Sequence, residues 1–310
     1  MTALSRILVT GGAGFIGSAT VDLLLKKGKQ VVVLDNLFSG KVTNLDLTNP
    51  CLEFIEGDVL EYPLLESLVK TCDAVLHLAA IASVPFSIEN PMYTLQVNTQ
   101  GFLHVLEAVR KAGRPIRLVY ASSAAVYGDD KDLPCRDGKS LPDLPLSPYA
   151  LQKWHCEQYA ALYNQLHNIP SLGLRYFNVY GEKQDPASPY SGVISRFLDA
   201  YRQDNEIKIF GDGKQSRDFI YVNDVANANL LALKAECKGA MNIATGKPET
   251  LLQLAEYIQQ AGSRKLNLKF EPARAGDIRE SYAATQLAVE QLGFKYEVPL
   301  QEGIKLLLGA

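Results

Sequence analysis

The chain is 310 residues long, which allows one large domain or a domain carrying a smaller cap. Its 47% hydrophobic and 21% charged residues are those of an ordinary globular protein, and a formal net charge of −3 leaves no basic field to attract nucleic acid. No apolar run approaches the ~20 residues of a membrane span, so no membrane partner is expected.

In chain order, the run from Arg6 to Val9 predicts a buried strand, followed by Gly11, Gly14 and Gly17 and then a helix over Ser18–Lys27. Gly11 allows a tight turn, Gly14 lets backbone approach a pyrophosphate, and Gly17 lets helix pack on strand. The helix N-terminus then offers free N–H groups and a positive dipole end to phosphates. A second strand, Gln30–Leu34, ends in Asp35, 18 residues after Gly17. A carboxylate there accepts both ribose hydroxyls of an adenosine and repels a 2′-phosphate, which makes NAD the expected cofactor rather than NADP.

Strand-like runs continue at Leu52–Glu56, Ala74–Leu78, Arg117–Ala121 and Ser171–Arg175, alternating with helical patterns at Glu61–Lys70, Met92–Lys111 and Tyr149–Leu166. Apolar strands separated by amphipathic helices imply a parallel sheet covered on both faces. Ligands of such sheets sit beyond the strands' carboxyl ends, which gives weight to Asp58, Ala79–Ser83, Ser122–Tyr127 and Tyr176–Tyr180. The proline-rich stretch Leu133–Pro148 is too long for a plain connection and reads as a functional loop.

Beyond Arg175 come a loop at Gln184–Gly192, a helix over Val193–Arg202 and short strands at Ile207–Phe210 and Asp218–Tyr221. A helix at Asn223–Lys234 and a strand at Met241–Ala244 return to the sheet. Thr250–Ala261, Leu266–Phe270, Thr285–Leu292 and Leu300–Leu308 complete the chain. The expected fold is α/β: a doubly wound parallel-sheet Rossmann domain over 1–175, rejoined by 221–245. A smaller, interleaved α/β substrate-binding lobe spans 176–220 and 246–310.

The chain enters its first strand too early for a signal peptide. Cys51, Cys72, Cys135, Cys156 and Cys237 are odd in number and lack C-x-x-C spacing, which suits a reducing compartment and makes the cytoplasm the expected location. His77, His104, His155 and His167 show no ligand spacing with cysteine or carboxylate, so no metal site is expected.

Tyr149 and Lys153 stand four apart at the start of a helix and therefore share a face. A free phenol is a poor base near neutrality. A neighbouring ammonium, helped by an oxidised nicotinamide, should lower its pKa. Ser123 follows a strand directly and is placed to pass a substrate proton to Tyr149, whereas Ser122 reads as satisfying backbone groups.

Together these residues resemble the extended short-chain dehydrogenase/reductase family, and within it the UDP-hexose 4-epimerases, from Ile7 to about Tyr282. The carriers are Gly11–Gly17, Asp35–Gly40, Gly57-Asp58-Val59, His77–Ala80, Val97-Asn98, Ser122–Gly128, Tyr149–Lys153, Arg175–Asn178, Gly211–Tyr221 and Arg274–Asp277. The resemblance implies Ser123, Tyr149 and Lys153 as catalytic. It puts Gly11, Gly14, Phe15, Ile16 and Gly17 on the phosphates, Asp35, Asn36, Ser39 and Gly40 on the adenosine ribose, and Asp58 and Val59 on adenine. Leu78, Ala79, Ala80, Asn98, Tyr176 and Phe177 would line the cofactor, with Lys153 on the nicotinamide ribose. Ser83, Ser123, Tyr149, Asn178, Val193, Arg217, Arg274, Asp277 and Ser281 would hold the UDP-sugar, guanidinium forks suiting its diphosphate. Surface ion pairs of Arg217 with Asp218 and of Arg274 with Asp277 are the plainer alternatives.

The implied reaction is inversion at C4 of a UDP-hexose through a 4-keto sugar. The N-acetylated pair UDP-GlcNAc and UDP-GalNAc is favoured because Ser281, four beyond Asp277, is a small wall where a tyrosine would crowd C2. Rivals are a sugar-nucleotide 4,6-dehydratase or decarboxylase, a simple dehydrogenase, or a non-catalytic NAD-binding regulator. Similar dehydratases carry acids where this chain has Ala124 and Ala125, which argues against dehydration. Leu103, Trp154, Tyr159 and Tyr163 crowd more faces of their helices than one sheet contact uses, and with the resemblance they suggest a homodimer.

Overall fold

Runs of β-branched and leucine residues become parallel strands because both faces of the sheet are covered, leaving no position that must be polar. The computed structural model describes residues 4–142, 144–185, 192–262, 264–273 and 278–309. Its first half runs β1 (Arg6–Thr10), α1 (Phe15–Lys26), β2 (Gln30–Asp35), β3 (Leu52–Glu56), α2 (Tyr62–Val69) and β4 (Ala74–His77). Then come α3 (Val84–Glu89), α4 (Pro91–Leu95), α5 (Gly101–Lys111), β5 (Arg117–Ser123), α6 (Pro148–His167) and β6 (Ser171–Tyr176). The second half comprises β7 (Asn178–Tyr180), α7 (Val193–Arg202), β8 (Ile207–Phe210), β9 (Ser216–Tyr221), α8 (Val222–Lys234) and β10 (Gly239–Ile243). It ends with β11 (Pro248–Thr250), α9 (Leu251–Ala261), β12 (Leu268–Glu271), β13 (Glu280–Ser281), α10 (Gln286–Leu292) and α11 (Leu300–Leu308).

Seven parallel strands form the main sheet in the order β10-β6-β5-β4-β1-β2-β3, a Rossmann-like doubly wound arrangement. One face is covered by α1, α8 and α10 over Ile7, Val9, Val31 and Val33. The other is covered by α2, α5 and α6 over Leu8, Val32, Val75 and Leu118. Each such fully buried side chain contributes about 1.5–3 kcal/mol of burial. The strand order reverses between β1 and β4, where the Gly11–Gly17 turn and the segment after β4 open a crevice at the sheet's carboxyl edge. A third apolar cluster, with Ile194, Phe197, Ile209, Leu254 and Ile304, holds together α7, β8, α9 and α11.

Several boundaries differ from the sequence reading. Helix α1 begins at Phe15, so Gly17 lies inside its first turn rather than before it. The single helix expected over Met92–Lys111 is interrupted by a π-helical turn at Gln96–Gln100. There the Asn98 amide turns aside to bind the backbone of Ile81, accepting from its N at 2.8 Å and donating to its O at 3.1 Å. The unanticipated β7, β11 and β13 have two or three residues each, too short to show a period, and pair only because β9 offers them an edge.

Candidate active site

The crevice is a cleft of about 920 Å³, lined on one bank by the glycine turn. Gly11 has φ +71°, and a Cβ there would meet Ala79 N at 2.6 Å; a Cβ on Gly17 would meet Gly11 O at 2.0 Å. Turn and helix therefore sit as close as bare backbone allows. Helix α1 has no side-chain cap, so its first amides, at the cleft-lining Phe15 and Ile16, face the cleft with the positive end of the dipole. Asp35, 8% exposed, accepts from Ala13 N and Leu37 N, both at 2.9 Å, which ties the glycine turn to the loop after β2. Burial raises its carboxyl pKa, against the pull of those backbone donors. Asp58 accepts from the Asn36 amide and from Leu60 N, both at 2.8 Å.

The second bank is the start of α6. Ser147 caps the helix, accepting from Ala150 N at 3.1 Å, and Pro148 opens it without wasting a donor. The Ser87 hydroxyl on α3 accepts from Tyr149 N at 3.1 Å. Lys153 Nζ lies 5.9 Å from the Tyr149 ring centre and donates to Ala121 O at 2.9 Å. Ser123, at the end of β5, lines the cleft beside the Tyr149 phenol, and its Oγ accepts from Ala125 N at 3.2 Å. Sequence reasoning expected Lys153 to lower the phenol's pKa. Among the chain's own groups burial prevails instead: it pushes Tyr149 up to about 12, with Ser123 drawing it partly back. Burial also lowers the pKa of Lys153. His77, buried beneath them and bonded to the Thr10 hydroxyl at 2.8 Å, is pushed down to about 3 and stays neutral.

The third bank comes from β7 and from Phe219 on β9, with β13 paired to β9 beside it. In the register Asn178 lies opposite Phe219, and Ser281 opposite Arg217. Three candidate substrate residues distant in sequence thus meet on one small sheet. Asn178 also donates to Asp218 O at 3.2 Å. The carboxylate of Asp218, fully buried, takes its hydrogen bonds from Thr245 N, Thr245 Oγ1, Gly246 N and Ala283 N. It therefore braces the strip from behind rather than serving Arg217.

Cleft walls include Gly14, Asn36, Ser39, Gly40, Asp58, Val59, Leu78, Ala79, Ala80, Ser123, Tyr149, Lys153, Tyr176, Phe177, Asn178 and Val193. Four predicted residues stand behind or beside the walls. Asn98 is buried on the Ile81 backbone and donates to Gln152 on α6 at 2.7 Å. Ser83 is spent capping α3, accepting from Phe86 N at 3.1 Å. Arg217 and the half-buried Ser281 lie on the β9–β13 pair. Arg274 and Asp277 fall outside the described residues. Ser122 does not satisfy backbone groups as the sequence reading had it: its hydroxyl donates to the Glu157 side chain at 2.5 Å, and it is Ser123 that accepts from a backbone N–H.

A scan of family models matches residues 7–244 to "NAD dependent epimerase/dehydratase family". The chain belongs to this family. A putative UDP-glucose 4-epimerase of Methanocaldococcus jannaschii is 42% identical over 301 residues, 96% of each chain. Among solved structures, the UDP-N-acetylglucosamine 4-epimerase of Methanobrevibacter ruminantium M1, in complex with UDP-N-acetylmuramic acid, superposes with a TM-score of 0.93 at 37% identity, covering 98% of both chains. The UDP-glucose 4-epimerase of Thermotoga maritima with UDP-glucose gives 0.91 at 36% identity, covering 98% of this chain and 97% of that one.

The cofactor of this epimerase/dehydratase family member is NAD. Its own residues fit that group: a cradle at Gly11 and Gly17 that any Cβ would fill, an uncapped helix end for the phosphates, and Asp35 beside them. Sequence reasoning missed two ion pairs across the mouth of the cleft, Lys41 with Asp185 at 2.6 Å and Lys183 with Asp22 at 2.8 Å. It also missed Phe38 and Tyr93, ring centres 5.9 Å apart, at the rim. Nothing local in the sequence marks these pairs, because each joins segments brought together only by the fold.

Proposed function

We propose that the protein catalyses reversible inversion at C4 of a UDP-hexose, with UDP-GlcNAc and UDP-GalNAc as its pair and UDP-Glc and UDP-Gal as further substrates. The observation that carries this reading is the convergence of Ser123 from β5 with Tyr149 and Lys153 from α6 on the cleft that Gly11–Gly17 opens. NAD held there by the Gly11–Gly17 turn and Asp35 would supply the hydride acceptor and donor chemistry that inversion at C4 through a 4-keto sugar needs. Tyr149, with Ser123 on its phenol, removes the 4-hydroxyl proton and later returns it. Lys153, anchored on Ala121 O, holds positive charge near the phenolate. Arg217 and Asn178 grip the diphosphate end, which lets the sugar turn while its anchor stays fixed. Ala124 and Ala125, in the turn after Ser123, offer no acid for elimination of water, so dehydration is disfavoured.

Ser281 supports the N-acetyl reading by its size alone: a small residue on the strand paired with β9, in register with Arg217, would leave more room beside C2 than a tyrosine. Relatives of both sugar classes are similar to this chain to nearly the same degree, in keeping with dual use. The protein is incubated separately with UDP-GlcNAc and UDP-Glc, and C4 configuration is followed by NMR. Equilibration of UDP-GlcNAc with UDP-GalNAc is expected. Turnover of UDP-Glc alone overturns the N-acetyl assignment, and loss of water or carbon dioxide overturns the epimerase reading.

The assembly we propose is a homodimer through α4, α5 and α6. Leu103, Tyr159 and Tyr163 pack largely on the core and Trp154 packs beside Tyr127 and Phe177, so they are not the exposed contact. Met92 at 71%, Leu95 at 41%, Leu162 at 44% and Leu166 at 61% exposure supply the apolar surface instead.

A further inference from the structure

The Tyr149 and Lys153 spacing continues one turn further, to Glu157, so the three share one face of α6. Three consecutive residues at the end of β5 meet that face. Ala121 O accepts from Lys153, Ser122 Oγ donates to Glu157 Oε1 at 2.5 Å, and the Ser123 hydroxyl, which accepts from Ala125 N at 3.2 Å, stands beside the Tyr149 phenol. Glu157 also accepts from Arg175 Nε at 2.8 Å and Nη2 at 2.6 Å. Arg175 lies opposite Ser122 in the β5–β6 register, and its Nη1 donates to Tyr127 Oη at 2.7 Å. Ser123 therefore stands between Ser122 and Tyr127, both fastened to the same ion pair. All four members are buried, with exposures of 2% for Ser122, 3% for Tyr127, 6% for Arg175 and 8% for Glu157.

We propose that Glu157 is a positioning residue which, acting through Ser122 and Arg175, holds Ser123 at working distance from Tyr149. This rests on the proton-transfer roles proposed above. A buried ion pair is a weak source of stability, because desolvating two charges offsets much of their attraction. Its value here is geometric. Ser123 and Tyr149 belong to different elements, and proton transfer between them needs hydrogen-bond reach, which a small shift of helix against strand would break. The pair locks helix, strand end, following turn and neighbouring strand into one frame around Ser123.

Ser122→Ala tests this, because it leaves the Glu157–Arg175 pair intact and deletes only the tether of the strand end. NAD content, thermal melting and the KM for UDP-sugar should stay near those of wild type. The kcat should fall about tenfold, the size of effect seen when an outer-shell partner is removed. The rising limb of the kcat–pH profile should move to higher pH, because a displaced Ser123 hydroxyl no longer favours the phenolate. Glu157→Gln should move the limb the same way; if it does not fold, Ser122→Ala alone decides. A merely structural role would lower the folded fraction and leave the limb in place, and that result, or wild-type kcat with an unmoved limb, overturns the proposal. Tyr149→Phe is run alongside. Normal turnover in that variant removes the catalytic reading and this inference with it. Lost turnover there with a wild-type Ser122→Ala enzyme removes the positioning role only.

Discussion

The cofactor bank of the cleft and the side proposed for the sugar are built in different ways. On the cofactor side, the turn between β1 and α1 brings Gly11, Gly14 and Gly17 together within one short stretch, and Asp35 arrives at the end of the next strand. On the sugar side, Asn178, Arg217 and Ser281 come from three strands that meet only through the register of β9. A contiguous turn leaves no freedom once its glycines are chosen. A strip of short strands can be re-walled one residue at a time while the glycine turn stays in place. The difference suggests a site in which redox machinery is fixed and substrate choice is adjustable.

Breaking the contiguous side should have the largest effect. Gly17→Ala places a Cβ 2.0 Å from Gly11 O, against backbone that cannot give way. We expect a destabilisation of about 3 kcal/mol or more, at the upper end of overpacking, and no co-purifying nucleotide. Thermal melting and absorbance of the denatured supernatant check both. Normal NAD content would show that the turn is looser than its geometry requires.

Next in size is Tyr149→Phe, which removes the hydroxyl shared by both banks. Turnover should fall at least ~10²-fold, as for a lost acid–base group, with circular dichroism unchanged. Ser281→Tyr sharpens the comparison from the adjustable side. It should slow epimerisation of UDP-GlcNAc about tenfold or more through ~1–3 kcal/mol of strain while sparing UDP-Glc. Equal loss on both substrates, followed by coupled assay, would mean that Ser281 does not wall the sugar.

The smallest effect concerns the join of β10 to the loop that carries Asp137, outside the cleft walls. Asp137 accepts from Asn242 N at 2.8 Å, and burial raises its carboxyl pKa from 3.8 to about 6. Between those values the folded chain binds more protons than the unfolded one. The stability contributed by the neutral acid is therefore complete below about pH 4 and is lost as pH rises through about 6. Asp137→Asn should melt within a degree or so of wild type at pH 4 and a few degrees higher at pH 8. A melting difference that does not change with pH would rule out this titration.

The sequence-predicted loop Leu133–Pro148 shows why such joins were hard to foresee. Its length and prolines flagged it, but not its partner: Cys135 N donates to Tyr282 O, and Ala284 N donates to Cys135 O, at 2.9 Å each. The same holds for Glu157 and Arg175, which read as an ordinary helix charge and an ordinary strand end until the fold buries them as a pair. Ser83 shows a second role that spacing did not announce. Its position after a strand marked it for the substrate, but the three residues that follow it start a helix whose N–H group it caps.

By itself the sequence determined what depends on near neighbours: apolar strands alternating with helices, a glycine turn that admits phosphate, an acid at the end of the second strand, and Tyr149 one turn from Lys153. Those features act over a few residues, where backbone geometry converts spacing directly into position. Only the tertiary structure decided which strand edges β7 and β13 would join, where Asn98 and Asp218 would spend their hydrogen bonds, and that burial would outweigh Lys153 in setting the Tyr149 phenol. Pairing of distant segments and the desolvation it imposes are properties of the packed whole, and no spacing within one stretch of chain encodes them.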